Sequence, residues 1–234
     1  MFFQTAKYKV FLIGSLVLGL AACEQNNGTN EAQTEDAETI TLALKALSLE
    51  ELTTKAENDN PEAQYLLGIR YEYGDGAPQD YAEAIRWIRL SAEQGYSEAQ
   101  YDLAASFYRD MNNTEAIHWW RLAAEQGHAW AQFNLGGMYG FGEGVPQDDT
   151  EAAKWYLLSA DQGHAGAQLN LGFKYRDGRG VPQSLVTSYM WLSLAAVQGD
   201  DMAARNKNSL QEKMTPEQIA EGERLTQVWV SEHK

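Results

Sequence analysis

The chain has 234 residues, of which 44% are hydrophobic and 22% charged, with 33 acidic and 18 basic side chains. A formal net charge of −15 gives a surface that repels phosphate backbones and anionic lipid headgroups, which excludes nucleic acid as an expected partner. A single cysteine excludes an internal disulfide framework.

The first 22 residues have the layout of a secretory signal. They contain Lys7 and Lys9, no acidic residue, and then an uncharged run from Val10 to Ala22. That run of 13 residues is well short of the roughly 20 apolar residues that a transmembrane helix needs. Export is therefore predicted, rather than a permanent membrane-spanning helix.

The uncharged run ends in Leu20-Ala21-Ala22-Cys23, and Cys23 is the only cysteine of the chain. This pattern resembles the lipobox of bacterial lipoproteins. The resemblance implies cleavage before Cys23 and an acylated N-terminus that holds the protein at a membrane of the bacterial envelope, facing the periplasm. Glu24 in place of aspartate favours the outer membrane over the inner one. An ordinary signal peptide followed by an incidental thiol is the alternative.

Residues 24–38 contain no aromatic and no β-branched aliphatic residue. Such a segment cannot bury enough apolar surface to fold, so residues 23–38 are predicted to form an acylated, flexible tether. Residues 39–62 are predicted to provide a capping helix in front of the repeats.

Three markers recur along the rest of the chain with successive spacings of 36 or 32 residues. Repetition at this length is typical of helical solenoids. The markers are an Ala-Gln pair starting at Ala63, Ala99, Ala131 and Ala167, a tryptophan at Trp87, Trp119, Trp155 and Trp191, and a glycine at Gly95, Gly127, Gly163 and Gly199.

Each repeated unit predicts two helices. Counted from the alanine of the Ala-Gln pair, position +4 is leucine and position +8 is aromatic in all four units, which makes one apolar stripe on a first helix. Position +5 is glycine or alanine, so a neighbouring helix is predicted to approach closely there. The second helix carries the periodic tryptophan, whose indole is predicted to slot against these small residues, and ends at the periodic glycine.

The second helices are predicted to begin at polar capping residues, and three of these are followed three positions later by glutamate, as in a capping box. The glycine-rich stretches before them, such as YGFGEGVPQD, lack the lysine and hydroxyl residue of a phosphate loop and are interpreted as turns. The predicted caps are Asp80, Asn112, Asp148 and Ser184, and the glutamates are Glu83, Glu115 and Glu151.

Three stretches of the unit resemble the Sel-one-like repeat, a relative of the tetratricopeptide repeat. They are Ala-x-x-x-Leu-Gly-x-x-Tyr, the Gly-x-Gly-Val/Ala-Pro-Gln-Asp turn, and Ala-x-x-Trp with its closing Ala-x-x-Gly. The resemblance covers residues 63–98, 99–130, 131–166 and 167–202, and it implies an all-α fold, a right-handed α-solenoid of helix-turn-helix repeats. Residues 203–234 are predicted to cap the solenoid. Their last helix is predicted to start at Thr215 and to pack as a lid through Ile219, Leu225, Val228 and Trp229.

Nothing in the sequence has the spacing of a catalytic or metal-binding motif. There is no His-Glu-x-x-His, no Gly-x-Ser-x-Gly and no second cysteine. His128 and His164 follow periodic glycines one repeat apart, and we interpret them as residues that simply follow a helix end. We therefore expect no cofactor, no metal and no enzyme activity.

Positions +3, +7 and +10 lie beside the core stripe of the first helix and differ between units, which makes them the candidate partner-binding residues. Asparagine side chains there could bind an extended peptide backbone. Trp130 is a further candidate, because an indole occupies a position that is polar or small in the other units and could be an exposed anchor. The candidates are Arg70, Tyr73, Asp102, Ser106, Arg109, Trp130, Asn134, Met138, Phe141, Asn170, Lys174 and Asp177.

Three functions are compatible with these patterns. The favoured one is a non-catalytic scaffold that binds a protein or peptide, as the resemblance implies. The second is recognition of a cell-wall or polysaccharide component, within an envelope export or peptidoglycan system, by exposed aromatic residues such as Trp130 and Phe141. The third and least favoured is a hydrolase with Asp102 and Asp177 as acid and base, two units apart.

Overall fold

The computed structural model describes residue 39 and residues 41–233, and the predicted signal, Cys23 and the tether lie outside these residues. All regular structure in the described part is helical. Residues 41–45 form a helical turn, and eleven longer helices follow: α1 (Leu49–Glu57), α2 (Pro61–Tyr73), α3 (Tyr81–Glu93), α4 (Ser97–Arg109), α5 (Asn113–Glu125), α6 (Ala129–Phe141), α7 (Asp149–Asp161), α8 (Ala165–Asp177), α9 (Leu185–Val197), α10 (Asp201–Gln211) and α11 (Pro216–Glu232).

The helices pack in chain order. Within each unit the first helix packs most closely on the second, in the pairs α2–α3, α4–α5, α6–α7 and α8–α9. Each second helix also packs on the first helix of the next unit. Contacts between neighbouring units only are the mark of a solenoid, so the predicted all-α solenoid of helix-turn-helix units is confirmed.

The small residue at position +5 permits close packing within a unit, as predicted. A Cβ atom on Gly136 would lie 2.8 Å from the ring of Tyr156, and one on Gly172 would lie 2.6 Å from Leu192. The partner is therefore the residue after the periodic tryptophan, and the prediction that the tryptophan itself fills this slot is wrong. Because one residue turns a helix by about 100°, the indoles of Trp119 and Trp155 face the joints between units, where they are partly buried.

The predicted helix caps form, but the capping boxes of the repeats do not. Asp80 accepts hydrogen bonds from the backbone of α3, and Asp148 accepts them from the backbone of α7. Glu83 turns away from its cap and pairs with Arg86 at 2.9 Å. A basic residue three positions later, on the same helix face, competes for the glutamate. A reciprocal box is present at the start of α11, as predicted from its sequence.

The glycine-rich stretches are turns, as predicted. In the third unit Gly142 and Gly144 have φ values of 69° and 75°, in the left-handed region that favours glycine. Gly144 is also restricted by space, since a Cβ atom there would lie 2.7 Å from Cβ of Asn113 in the preceding unit. In the shorter turn of the second unit, Met111 takes the left-handed conformation with φ 61°.

A buried glutamine connects each unit to its neighbour. Its Nε2 donates to a backbone carbonyl of the preceding second helix at 3.0–3.2 Å. Its Oε1 accepts from another glutamine, at the end of its own second helix, at 2.7–2.9 Å. The buried members are Gln64, Gln100, Gln132 and Gln168, and their exposed partners are Gln94, Gln126, Gln162 and Gln198.

The C-terminal helices close the solenoid. Helices α10 and α11 both pack on α9. Trp229 lies 6.4 Å from the ring of Trp191, and Leu225 contacts the same core cluster. Ile219 contacts the neighbouring cluster, whereas Val228 remains exposed.

We predict that Gln168→Leu lowers the free energy of unfolding by about 1–3 kcal/mol, because it removes two hydrogen bonds at once. The side chain no longer donates to the carbonyl of Ala160, which keeps its backbone donor Gly163, and no longer accepts from Gln198. Gln198→Ala removes only the exposed partner and is expected to cost about 1 kcal/mol or less. Urea denaturation followed by circular dichroism measures both values. Equal losses for the two variants would contradict the proposed role of the buried amide.

Candidate binding surface

Each first helix has one side that faces away from its core stripe. Core positions +4 and +8 lie close together around each first helix, because successive residues turn the helix by about 100°. The opposite side contains positions −1, +2, +6, +9 and +10. We call these positions on α2, α4, α6 and α8 the free face. Its large exposed side chains lie at positions −1 and +10, whereas the aromatic residues at position +2 pack into the joints between units.

Three large aromatic side chains on the free face are exposed. Tyr73 of α2 is 58% exposed, Trp130 of α6 is 53% exposed and Phe141 of α6 is 68% exposed. The expectation that the Trp130 indole reaches solvent is met, and its ring lies 4.3 Å from that of His164 in an edge contact. Each of these residues was a candidate from the sequence.

Several candidates at positions +3 and +7 contact the preceding unit instead. Lys174 is only 8% exposed, and its Nζ lies 2.8 Å from a carboxylate oxygen of Asp149 on α7. Arg70 donates to the backbone carbonyls of Lys45 and Leu47, at 2.9 and 2.7 Å. Positions +3 and +7 lie on the flank of the first helix between the free face and the core, which turns them toward the preceding unit.

The remaining candidates also divide into buried and exposed residues. Met138 is 3% exposed and Asn134 is 9% exposed, so neither offers much surface to a partner. Ser106 and Asn170 are partly buried. At position +10, Arg109 and Asp177 are exposed like Tyr73 and Phe141. Asp177 is paired with Arg176 at 2.7 Å.

Asp102 is a partly buried carboxylate in the joint between the first and second units. It accepts a hydrogen bond of 2.8 Å from the hydroxyl of Tyr65. The pKa of Asp102 is raised to about 6, chiefly by burial and in addition by Glu72 and Glu98, while the Tyr65 hydrogen bond and Arg109 lower it. The two carboxylates considered for hydrolysis are thus bound separately. Asp102 accepts from Tyr65, and Asp177 pairs with Arg176.

The two histidines have a role that the sequence interpretation missed. His128 Nδ1 accepts a hydrogen bond of 3.2 Å from the amide of Ala131, and His164 Nδ1 accepts one of 3.1 Å from Ala167. Each is the N-cap of a first helix. The signal was present, because the same position in the first unit is Asn60, a residue type favoured at N-caps.

The histidine rings also stack on aromatic rings of the preceding first helix. Burial lowers the pKa of His128, and it lowers that of His164 to about 4, which keeps both rings neutral near pH 7. Within residues 41–233 no group of three or more His, Cys, Asp or Glu residues is arranged to hold a metal ion. The ring pairs are Tyr101 with His128 at 4.6 Å and Phe133 with His164 at 4.5 Å.

Comparison with protein families finds four copies of one repeat in the chain. The Sel1 repeat, which is the Sel-one-like repeat considered above, matches residues 61–96, 97–128, 131–164 and 165–200. The chain belongs to the Sel1 repeat family. Sel1 repeat proteins are generally protein-interaction scaffolds and are typically non-catalytic.

Two solved structures resemble the Sel1 solenoid described above. One is a protective antigen of uropathogenic Escherichia coli with this fold, 34% identical, with a TM-score of 0.71, over 79% of this chain and 41% of the antigen. The other is a Sel1 repeat protein from Oxalobacter formigenes, 35% identical, with a TM-score of 0.66, over 69% of this chain and 48% of the other.

Among curated proteins, an uncharacterized protein of Neisseria meningitidis serogroup B is 43% identical over 44 residues, which is 19% of this chain and 9% of that protein. The chain therefore spans less than half of the length of each of these three relatives. In the described part of the Sel1 protein, no helix has the length and apolar character needed to cross a membrane.

We predict that Asp102→Asn stabilises the protein at about pH 8 by about 1–3 kcal/mol and has a much smaller effect at about pH 4. The raised pKa means that the folded state holds this proton more tightly than the unfolded chain. The stabilisation from protonated Asp102 is complete below its unfolded value of 3.8 and is lost as the pH rises through about 6. The asparagine carbonyl can still accept from Tyr65.

Denaturant unfolding at the two pH values measures this difference. Asp177→Asn is the matched control, because Arg176 lowers the pKa of Asp177 and its removal should destabilise at the higher pH. An equal gain for Asp102→Asn at both pH values would contradict the prediction.

Proposed function

We propose that this Sel1 repeat protein is a non-catalytic adaptor that presents its free face to a protein or peptide partner in the periplasm. The observation that carries the proposal is the exposure of Tyr73, Trp130 and Phe141 on the free face of the first helices. Large aromatic side chains contribute most of the binding energy in many protein interfaces. None of the three rings packs on a core cluster, and Trp130 remains about half exposed although its edge contacts His164.

We propose further that Cys23 is acylated and anchors the adaptor to the bacterial envelope, in the outer membrane. Leu20-Ala21-Ala22-Cys23 supports this, together with the charge-free run before it. Residues 24–38, treated as a coil, would reach on the order of 20 Å, enough to hold the solenoid away from the lipid surface. With its large negative charge, the protein depends on acyl chains for this attachment.

The anchor is tested by mass spectrometry of the mature protein expressed in a Gram-negative host. We expect an N-terminal peptide that begins at Cys23 and carries acyl groups, and recovery of the protein in the outer-membrane fraction. Cys23→Ser should abolish the modification and release the protein from the membrane. An unmodified mature N-terminus in the wild-type chain would refute the anchor and leave the adaptor proposal in place.

The adaptor function is tested by cross-linking in intact cells. We expect one protein partner to be captured, and we expect Trp130→Ala with Phe141→Ala to reduce its recovery at least about tenfold, as for the loss of two interface anchors. Leu158→Ala, an exposed apolar change on the second helix α7, is the control and should leave the recovery unchanged.

The second candidate is recognition of a cell-wall or polysaccharide component. Exposed rings such as Trp130 and Phe141 would act as stacking platforms for sugars. Retention of the purified protein on murein with no other protein present, together with its loss in the same double variant, would favour this function over the adaptor. Capture of a protein partner without retention on murein would favour the adaptor.

A further inference from the structure

The free face of α2, α4 and α6 consists of two chemically different halves, and that of α8 carries the Arg176–Asp177 ion pair. On α2 and α4 it carries acidic residues and tyrosines, and we call this part the acidic half. On α6 it carries Trp130, Phe133, Gly137, Gly140 and Phe141, and we call this part the uncharged half. Helix α6 has no charged residue, whereas α2, α4 and α8 all do.

The acidic half has an excess of negative charge at close range. Glu62, Glu72 and Glu98 occupy positions −1 and +9 of the free face on α2 and α4, and Asp102 lies beside this face in the same joint. Arg109 is the basic residue that acts on the same carboxylate. Arg70 cannot balance the remaining charge, because its guanidinium donates to backbone carbonyls at the front of the solenoid.

The acidic half also provides aromatic rings beside these charges. The Tyr65 and Tyr96 rings lie 5.4 Å apart and pack on the core at this joint. Burial, followed by the fields of Glu98 and Glu62, raises the pKa of the Tyr96 hydroxyl. Tyr73 is exposed and directly follows Glu72 in α2. Carboxylates combined with aromatic faces attract lysine and arginine side chains through ion pairing and cation–π contact.

The uncharged half has two partly exposed glycines between its aromatic side chains, at the edge of the contact with α7. A Cβ atom on Gly137 would meet nothing nearer than the Tyr156 hydroxyl at 3.7 Å, and one on Gly140 would lie 3.6 Å from Cβ of Ala152. Packing therefore does not require glycine at either position, in contrast to Gly136. Since glycine within a helix is less stable than alanine, the fold alone does not explain the pair.

We propose that the free face binds an extended peptide segment in which lysine or arginine residues are followed or preceded by an aromatic or large aliphatic residue. The basic residues contact the acidic half, and the apolar residue lies over Gly137 and Gly140, between Trp130 and Phe141. This proposal rests on the adaptor function proposed above and names the chemistry of the partner.

Charge complementarity favours this occupant over two others. Residues 24–38 of the chain itself contain five acidic residues, no basic residue and no aromatic residue, so the acidic half repels them. A second copy of the chain carries the same net charge of −15 and is repelled in the same way. A basic and apolar segment satisfies both halves at once.

The test is selection from a random library of peptides of about 12 residues, which span about 40 Å when extended, on the purified full-length protein. We expect the enriched peptides to combine lysine or arginine with aromatic or aliphatic residues. Their affinity, measured by fluorescence anisotropy, should fall at least about fivefold in Glu72→Gln with Glu98→Gln, and should decrease with rising salt. Glu125→Gln, an exposed change on α5, is the matched control and should have no effect.

Gly137→Ala with Gly140→Ala separates binding from folding. This variant should be at least as stable as the wild-type protein in urea, because alanine favours the helix and fits the space. It should nevertheless bind the selected peptides at least about threefold more weakly, because the added methyl groups lift the apolar residue from the backbone. Unchanged affinity in both the glycine and the glutamate variants would overturn the proposal.

Enrichment of acidic peptides, or of no peptide, would also overturn it. The adaptor proposal would survive either result if cross-linking in cells still captures a partner that depends on Trp130 and Phe141. Loss of that capture as well would contradict both the adaptor proposal and the peptide-binding proposal.

Discussion

Each joint of the solenoid depends on one buried glutamine amide. The last carbonyls of a helix have no partner within the helix, and in a stack of helices these ends are covered by the next unit. Gln64 and its three equivalents each add a second donor to a carbonyl that a turn amide already binds, and are in turn bound by a glutamine of their own unit. Because the amide has both a donor and an acceptor, it fixes two second helices against one first helix and sets the spacing of the units.

The fold could be predicted from the sequence because each helix repeats the same few packing requirements. Leucine at +4, an aromatic residue at +8 and a small residue at +5 define a helix pair in any unit. The identity of the slotting residue could not be predicted, since Trp155 and Tyr156 are both large and aromatic and only the rotation between them decides which one faces Gly136. The prediction of a capping box at Asp80 was wrong because Arg86, on the same helix face, pairs with the glutamate Glu83 that would close the box.

The candidate site was predictable only in part. Position +10 and Trp130 reach solvent, and an indole at a position that is otherwise polar or small signals this in the sequence. Lys174 and Met138 are buried because the flank of the first helix beside its free face is covered by the preceding unit. The tilt between units decides which of these side chains are covered, and the tilt cannot be read from one sequence.

The joints of the solenoid differ in how they respond to protons. At the joint between the first and second units, Asp102 has a pKa of about 6 and changes charge near neutrality. At the joint between the third and fourth units, His164 has a pKa of about 4 and remains neutral through the same range. Mild acidification therefore removes a negative charge at the first joint and leaves the charge of the His164 ring at the later joint unchanged.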